Sequence, residues 1–529
     1  MAKSVAGDRS EVDYPGWKNA DLYRQKPRGE PNHPVKPMKT PHPKPPAPLP
    51  PPRVASTTSS NASAKMEVVH PQAAGIDIGA TEHYVCVPAH SVARGESQVR
   101  VFGAFTEQLD ELVRWLQACA VTTVAMESTG VYWIALHQKI EAAGLEVLLV
   151  DARRVRHVPG RKTDLQDCQW IQRLHTFGLL RGAFRPQDGI CRMRSYMRHR
   201  GNLVGAAAEQ VQHMQKALQQ MNILLHHVVS DLDGDTGLRI MDAILAGERD
   251  PEELVKLRDP RIKRSTVEEM KAALRGDWRP EHLFVLKQAL AAYRFCQQQI
   301  QECDQALEAL LQELVAALPE VTAARAPMPS AVASPDEPTE GKGTKKKARK
   351  RRQHGNAPQV DLLPHLQGLC GVDLTQTLGV NVLGALVLVS EIGVDMSRWP
   401  NEKAFAAWLG LCPNHKISGG RILSNHTRHV VNRAATLLRM VALAVGKTDT
   451  VLGDFYRRIR GRAGAPKAIT ATARKLACLI YHLLKYKEPY VEPDLAAYQQ
   501  RFERNRVRQL SKHAKTLGFQ LVPIQRGAE

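Results

Sequence analysis

Residues 73–89, AAGIDIGATEHYVCVPA, decide how the fold of this 529-residue chain is read. Two short apolar runs, AAGIDIGA and HYVCVPA, are separated by a turn, and QVRVFGAF (98–105) alternates as a third strand. One residue in the first run does not fit a plain core strand. Asp77 is a carboxylate among apolar residues and glycines, and burying it is costly unless a metal or a donor satisfies it. Working outward, TEQLDELVRWLQACA (106–120) has helical apolar spacing and VTTVAME (121–127) reads as a fourth strand. VYWIALHQKIEAAG (131–144) reads as a helix ending on Gly144, and LEVLLVD (145–151) as a fifth strand. Antiparallel-type strands followed by α/β crossovers predict a mixed sheet with helices.

Three more carboxylates accompany Asp77. Glu127 closes the fourth strand, the position at which α/β folds place chemistry. In GRKTDLQDCQWIQRL (160–174), Asp164 and Asp167 stand three apart at a helix start, on one helix face. Taken alone, that pair after Thr163 is better read as complementing a helix dipole, and Glu127 alone as a surface turn residue. The order carries more than any member: strand with Asp, hairpin, strand with Glu, then a helix with paired Asp. It matches a ribonuclease H-like nuclease fold. Four carboxylates make an all-oxygen donor set, which Mg²⁺ prefers, and two such ions about 4 Å apart can clamp the attacking and leaving oxygens of a phosphodiester.

Composition agrees with a polyanionic partner. Lys and Arg number 73 against 53 Asp and Glu, a net charge of +20. No run of about 18 apolar residues suggests a membrane span, and the N-terminus lacks the apolar core of a signal peptide. A soluble, cytoplasmic protein working at the nucleoid is the expectation. The nine cysteines are scattered with no C-x-x-C pair, which argues for reduced thiols rather than a zinc site.

The chain divides by composition. Residues 1–66 form a Pro-rich basic tail expected to be disordered, and 67–190 the sheet-bearing nuclease domain. Residues 191–322 form a helical coiled-coil domain: Leu203, Ala207, Val211, Met214, Leu218, Met221, Leu225 and Val228 make one apolar seam, and Leu286 to Leu314 a second. An intramolecular hairpin and an oligomerising coiled coil fit these seams equally. Residues 323–359 include GKGTKKKARKRRQHGN and read as a disordered basic linker, 360–500 as a mostly helical domain, and 501–529 as a basic C-terminal tail. In the 360–500 segment, LGVNVLGALVLVSEIG (378–393) is a Gly turn feeding an apolar helix, able to offer backbone N–H groups to phosphate.

Ser418 lies in NHKISGGRILSNHTRH (414–429). Gly419 and Gly420 allow close approach of a ligand to the backbone, and His415, Lys416, Arg421, His426, Arg428 and His429 surround the serine with cation-capable donors. A serine hydroxyl is a weak nucleophile that needs such help. By itself the segment fits a surface turn that merely contacts phosphate better than a nucleophile, and Ser424 is a second candidate.

GIDIG, MESTGVYW, GRKTDLQD, RWPNEKAFAAWLGLCPNHKISGG and NRAATLLRMVA together resemble the DEDD-type insertion-sequence transposases, over roughly residues 70–490. The resemblance implies a RuvC-like domain joined through a coiled coil to a small serine transposase domain. It implies Asp77, Glu127, Asp164 and Asp167 as the Mg²⁺ tetrad, Ser418 as nucleophile forming a phosphoserine, and the turn around Gly379 as part of a helix–hairpin–helix-like element. Arg161, Lys162, Lys416, Gly419, Gly420, Arg421 and Arg428 are then expected on nucleic acid. Members of the family act as homo-oligomers, dimers or tetramers, on element-end and target DNA, with a structured guide RNA from the element. A resolvase-like hydrolase working without a covalent intermediate, and a non-catalytic nucleic-acid scaffold, are the rival expectations. The Pro-rich tail and basic linker depart from the family in length without disturbing a motif.

Overall fold

The computed structural model describes residues 67–128, 130–151, 163–318 and 356–522. The N-terminal tail, most of the basic linker, and Arg161 and Lys162 lie outside the described residues. Two compact units divide between Arg185 and Pro186.

The first unit is built on a five-stranded sheet of β1 (Ala73–Ile78), β2 (Glu82–Cys86), β3 (Val99–Gly103), β4 (Thr123–Glu127) and β5 (Glu146–Val150), in the order β3-β2-β1-β4-β5. β1, β2 and β3 pair antiparallel as a meander, whereas β4 joins β1, and β5 joins β4, in parallel. Parallel neighbours need crossovers, and two helices provide them: α1 (Thr106–Ala118) and α2 (Trp133–Ala142). Their inward residues, Leu109, Leu112, Leu116, Leu136 and Ile140, cover the sheet residues Ile76, Val85, Val124 and Met126 in one core. This is the expected mixed sheet, an α/β ribonuclease H-like arrangement.

The other face of the sheet takes α3 (Asp164–Thr176). Gly75 explains how closely it lies. A Cβ at Gly75 would stand 2.2 Å from the backbone N of Gln172 and 2.5 Å from the carbonyl oxygen of Cys168, so only a residue without a side chain lets helix and strand touch there. Polar contacts fasten the far end of α3. Gln172 Nε2 donates to the Ala73 carbonyl at 3.2 Å, and His175 Nε2 shares a buried 2.9 Å hydrogen bond with Thr123 Oγ1. Burial, and secondarily the neighbouring His70, push the His175 imidazole down to about 4.

The second unit is helical apart from one hairpin. α4 (Asp188–Gln220) and α9 (Pro280–Ala316) run antiparallel within the chain: Arg192 pairs with Glu313, and Arg200 with Asp304, while Leu218 and Leu286 share one core at the other end. Between them α5 (Leu225–Val228), α6 (Asp235–Ala246), α7 (Pro251–Lys256) and α8 (Val267–Ala273) close that end around Met221, Ile240, Met241 and Ile244. The apolar seam does not continue as one helix through Leu225 and Val228. α4 stops at Gln220 and Asn222 adopts a φ of +55°. Met221, Leu225 and Val228 are still buried, because the turn folds them into the same core.

A buried ion pair crosses the two long helices. Arg200 Nε donates to Asp304 Oδ1 at 2.6 Å, with side chains 3% and 0% exposed. Asp304 also accepts from Gln359 N at 3.0 Å, and Arg200 donates to the Asn356 carbonyl at 3.2 Å, so backbone groups add to the pairing of the two charges. Here the chain re-enters as α10 (Leu363–Cys370), α11 (Val382–Ile392), α12 (Glu402–Trp408), α13 (Arg433–Val445), α14 (Val451–Ala463), α15 (Ala465–Tyr486) and α16 (Leu495–Thr516). Arg198 holds Glu391 of α11 bidentately at 3.1 Å, and Arg194 donates to the Ser390 and Glu391 carbonyls, each at 3.0 Å. Trp399, Phe405, Trp408 and Tyr481 pack ring on ring between α12 and α15. Residues 501–516, read from the sequence as a tail, continue the helix α16. Among the described residues no helix is long and apolar enough to cross a membrane, and all nine cysteines are free thiols.

Candidate active site

Asp77 is the fifth residue of β1, on the same strand face as Gly75, since side chains alternate every second residue. With Cys168 and Gln172 lying over Gly75, the first turn of α3 falls over Asp77. Thr163 caps that turn by accepting from Gln166 N, and Asp164 and Asp167 occupy it. Carboxylate oxygens of Asp77, Asp164 and Asp167 all lie within 4.8 Å of one another. The three differ in exposure: Asp164 is open to solvent, Asp77 is half-buried and Asp167 is 6% exposed. One side of the cluster is thus fixed in the fold and the other faces solvent, where a substrate can reach it.

Glu127 ends β4, one residue beyond Met126, just as Asp77 stands one residue beyond Ile76, and Met126 and Ile76 are register partners. The two carboxylates therefore leave neighbouring parallel strands at one level. Glu127 is not within the 4.8 Å group. Dipole complementation and the metal reading of α3 are compatible: the helix start keeps its Thr163 cap while both aspartates converge on the strand carboxylate. The fit to a hard divalent cation rests on this donor set, oxygen only and clustered, since like charges at that separation repel unless a cation lies among them.

Two residues of the site escaped sequence reasoning. Tyr84 of β2 is the register partner of Asp77. Desolvation first, then the Glu82 and Asp164 carboxylates, a hydrogen bond to Glu82, and Asp77 raise its phenol above the ordinary value. Counting outward from the β1–β2 turn would have placed it there. Cys168 lies beneath the cluster, fully buried, and burial pushes its thiol up to about 12, with Cys86 and Asp77 adding to the shift. It is packing rather than a ligand.

Ser418 belongs to the second unit. β6 (Lys416–Ser418) and β7 (Arg421–Ser424) form a hairpin in which Ser418 pairs with Arg421 and Lys416 with Ser424. Gly419 and Gly420 make the two-residue turn at φ +53° and +75°, both left-handed, as a tight hairpin turn demands. Lys416, Ser418, Gly419, Gly420 and Arg421 are all exposed, so serine and arginine sit side by side at an open tip. The base is better held. Asn414 N donates to the His426 carbonyl at 2.9 Å, and Pro413 bridges Thr427. Arg428 Nη2 donates to the Trp408 carbonyl at 3.0 Å, so this guanidinium ties the hairpin to the C-terminal end of α12. His415, His426 and His429 are exposed around it. The turn at Gly379, φ +76°, precedes α11, whose cap Asn381 accepts from Gly384 N at 2.8 Å.

Comparison with known families bears on both regions. The DEDD transposase model of the IS110 type, described as "Transposase", matches residues 74–223, and the model "Transposase IS116/IS110/IS902 family" matches residues 373–457. No curated protein matches the chain. The first match contains the carboxylate-bearing sheet and the second the serine hairpin, and together they support an insertion-sequence transposase with a RuvC-like domain, of a class of enzymes that cut and rejoin DNA.

Proposed function

We propose that the chain cuts and rejoins the DNA of its own insertion element through a serine-linked intermediate, with Asp77, Glu127, Asp164 and Asp167 as the metal-binding set. The observation that carries this reading is the convergence of Asp77, Asp164 and Asp167 within 4.8 Å on a ribonuclease H-like sheet. Magnesium, two ions in the fullest form, supplies Lewis-acid stabilisation of charge at the phosphate. The residues of the chain do the rest. The Ser418 oxygen attacks phosphorus; an O–P bond forms to serine, the P–O3′ bond breaks, and the serine proton leaves with the freed 3′-hydroxyl through the surrounding bases. A second 3′-hydroxyl then attacks the phosphoserine, an O3′–P bond forms, and the serine oxygen departs protonated. Bond count is conserved, so strands rejoin without an outside energy source.

Arg421, paired directly with Ser418, and Lys416 neutralise the phosphate. Backbone N–H groups at Gly419 and Gly420 approach it without a Cβ in the way. Arg161 and Lys162 contribute to holding the nucleic acid, and Arg428 supports the hairpin from its base. The Gly379 turn contributes backbone donors in a helix–hairpin–helix-like role. The working form is a homo-oligomer guided by a structured RNA from the element.

The test is Ser418→Ala on a DNA substrate carrying the element ends. A protein–DNA adduct resistant to denaturant is expected from the parent and none from the variant, with DNA affinity unchanged within about twofold. Adducts that persist in the Ala variant would rule out Ser418. Cleavage by the parent with no adduct would favour a resolvase-like hydrolase using the carboxylates alone.

A further inference from the structure

Helix α16 has a surface that none of the preceding roles uses. It runs from Leu495 to Thr516 and buries no residue. Its first turns are clamped to α14: Arg458 stacks on Phe502 at 3.8 Å and on Tyr498 at 5.1 Å, donates to the Tyr498 hydroxyl at 2.7 Å, and pairs with Asp454 at 3.0 Å. Beyond the clamp the helix projects with every residue exposed or half-exposed.

Five cations on it form a stripe. Arg501, Arg504, Arg508, Lys512 and Lys515 recur at helical spacing, within an arc of about 80° and along about 21 Å of axis. All five are exposed, and among the described residues none takes part in an ion pair or a side-chain hydrogen bond. Glu503 is the one acid of the helix and falls on the opposite side. The clamped residues Tyr498 and Phe502 lie about 100° around the helix from the middle of the stripe, so docking on α14 leaves the stripe uncovered.

An amphipathic basic helix can also lie on an anionic membrane, but that requires an unbroken apolar face. Here the opposite face carries Val507, Leu510 and Leu517 interrupted by Glu503, Arg506 and His513. A row of unpaired point charges with no apolar counterpart is suited to a phosphate backbone. We propose that α16 is a sequence-independent DNA-backbone contact, laid along one strand of the duplex. This goes beyond the reading of the catalytic groups and needs neither Ser418 nor the metal.

The test uses the full chain in EDTA, where cleavage does not interfere, titrated with a random-sequence DNA duplex by fluorescence anisotropy over a salt series. Arg504→Gln/Arg508→Gln/Lys512→Gln is expected to weaken binding about tenfold or more at 0.1 M salt and to flatten the slope of log affinity against log salt by about 2 to 3. Arg504→Lys/Arg508→Lys should keep the parent slope, because phosphate neutralisation counts charge. Leu510→Gln should bind within about twofold of the parent. Parental slope and affinity in the triple Gln variant overturn the proposal. So does a loss as large in Leu510→Gln, or a loss confined to RNA or to phosphatidylserine vesicles with DNA binding intact.

Discussion

The two regions that carry candidate chemistry are held in opposite ways. The carboxylate cluster grows out of the best-packed part of its unit: a strand whose neighbours are 0% exposed at Ile76, Val85 and Val124, and a helix pressed against that strand where only glycine fits. The serine hairpin stands in open space, with Ile417, Ile422 and Leu423 each more than 60% exposed and nothing within 4 Å of a Cβ added at Gly419 or Gly420. Metal ligands must be placed accurately before substrate arrives, because repelling charges do not gather unaided. A hairpin proposed to meet a DNA strand gains from reach, and its geometry is set by backbone turn preference and by ties at its base. Preorganisation by packing and presentation by exposure are thus divided between the two units.

The largest effect is expected where packing is tightest. Gly75→Ala places a Cβ against the backbone of Cys168 and Gln172, neither of which can rotate away. Pushing α3 off β1 should cost about 3 kcal/mol or more and should also spread Asp164 and Asp167 from Asp77. Thermal unfolding and Mn²⁺ binding by calorimetry check both. A variant of parental stability that still binds Mn²⁺ would break the contrast, since it would mean that the cluster does not depend on the helix–strand contact.

How far the two regions could be read from the sequence follows the same division. The strands were legible because apolar alternation is a local signal, and Asp77 was legible as a polar residue in a run that had no other use for one. The Ser–Gly–Gly turn was legible because left-handed turn positions select glycine. What lay beyond local pattern was not. Gly75 looked like an ordinary strand glycine until the helix that covers it was known. Tyr84 required the register of β2 on β1. The Arg200–Asp304 pair joins residues 104 apart, and nothing local to Asp304, which falls within the second apolar seam, points to its partner. The break at Asn222 was hidden because the residues after it remain apolar and buried, and α16 resembled a tail because it buries nothing.

A smaller effect, reached by pH, acts on the other end of α3. His175 is buried and neutral in the fold, its imidazole held at about 4, against an ordinary 6.5. Below pH 6.5 the unfolded chain takes up a proton that the folded chain refuses, so stability falls with pH from about 6.5 down to about 4. Between pH 7 and pH 5 this amounts to roughly 2 kcal/mol. His175→Gln keeps a donor for Thr123 and removes the titration. Unfolding midpoints measured across that range should fall less steeply in the variant, with the buried His83 and His137 left to supply the remainder. An equally steep acid dependence in both proteins would place the acid sensitivity elsewhere, and the serine hairpin, whose His415, His426 and His429 are all exposed, has no buried imidazole to supply it.

The smallest effect on stability is expected at Gly419. Its φ of +53° strains any residue with a Cβ, yet an added methyl meets no atom within 4 Å. The cost is then the left-handed conformation alone, about 1 kcal/mol, and it is paid within the turn because the hairpin tip packs on nothing. Gly419→Ala should leave the main unfolding transition within a degree or two of the parent while slowing adduct formation at Ser418, whose neighbour in the turn has changed. Gly75→Ala and Gly419→Ala add the same methyl group, so any difference between them measures surroundings rather than chemistry. A fall in the main transition for Gly419→Ala as large as that for Gly75→Ala would mean that the hairpin tip bears on the core of its unit, and exposure could no longer explain how the serine is presented.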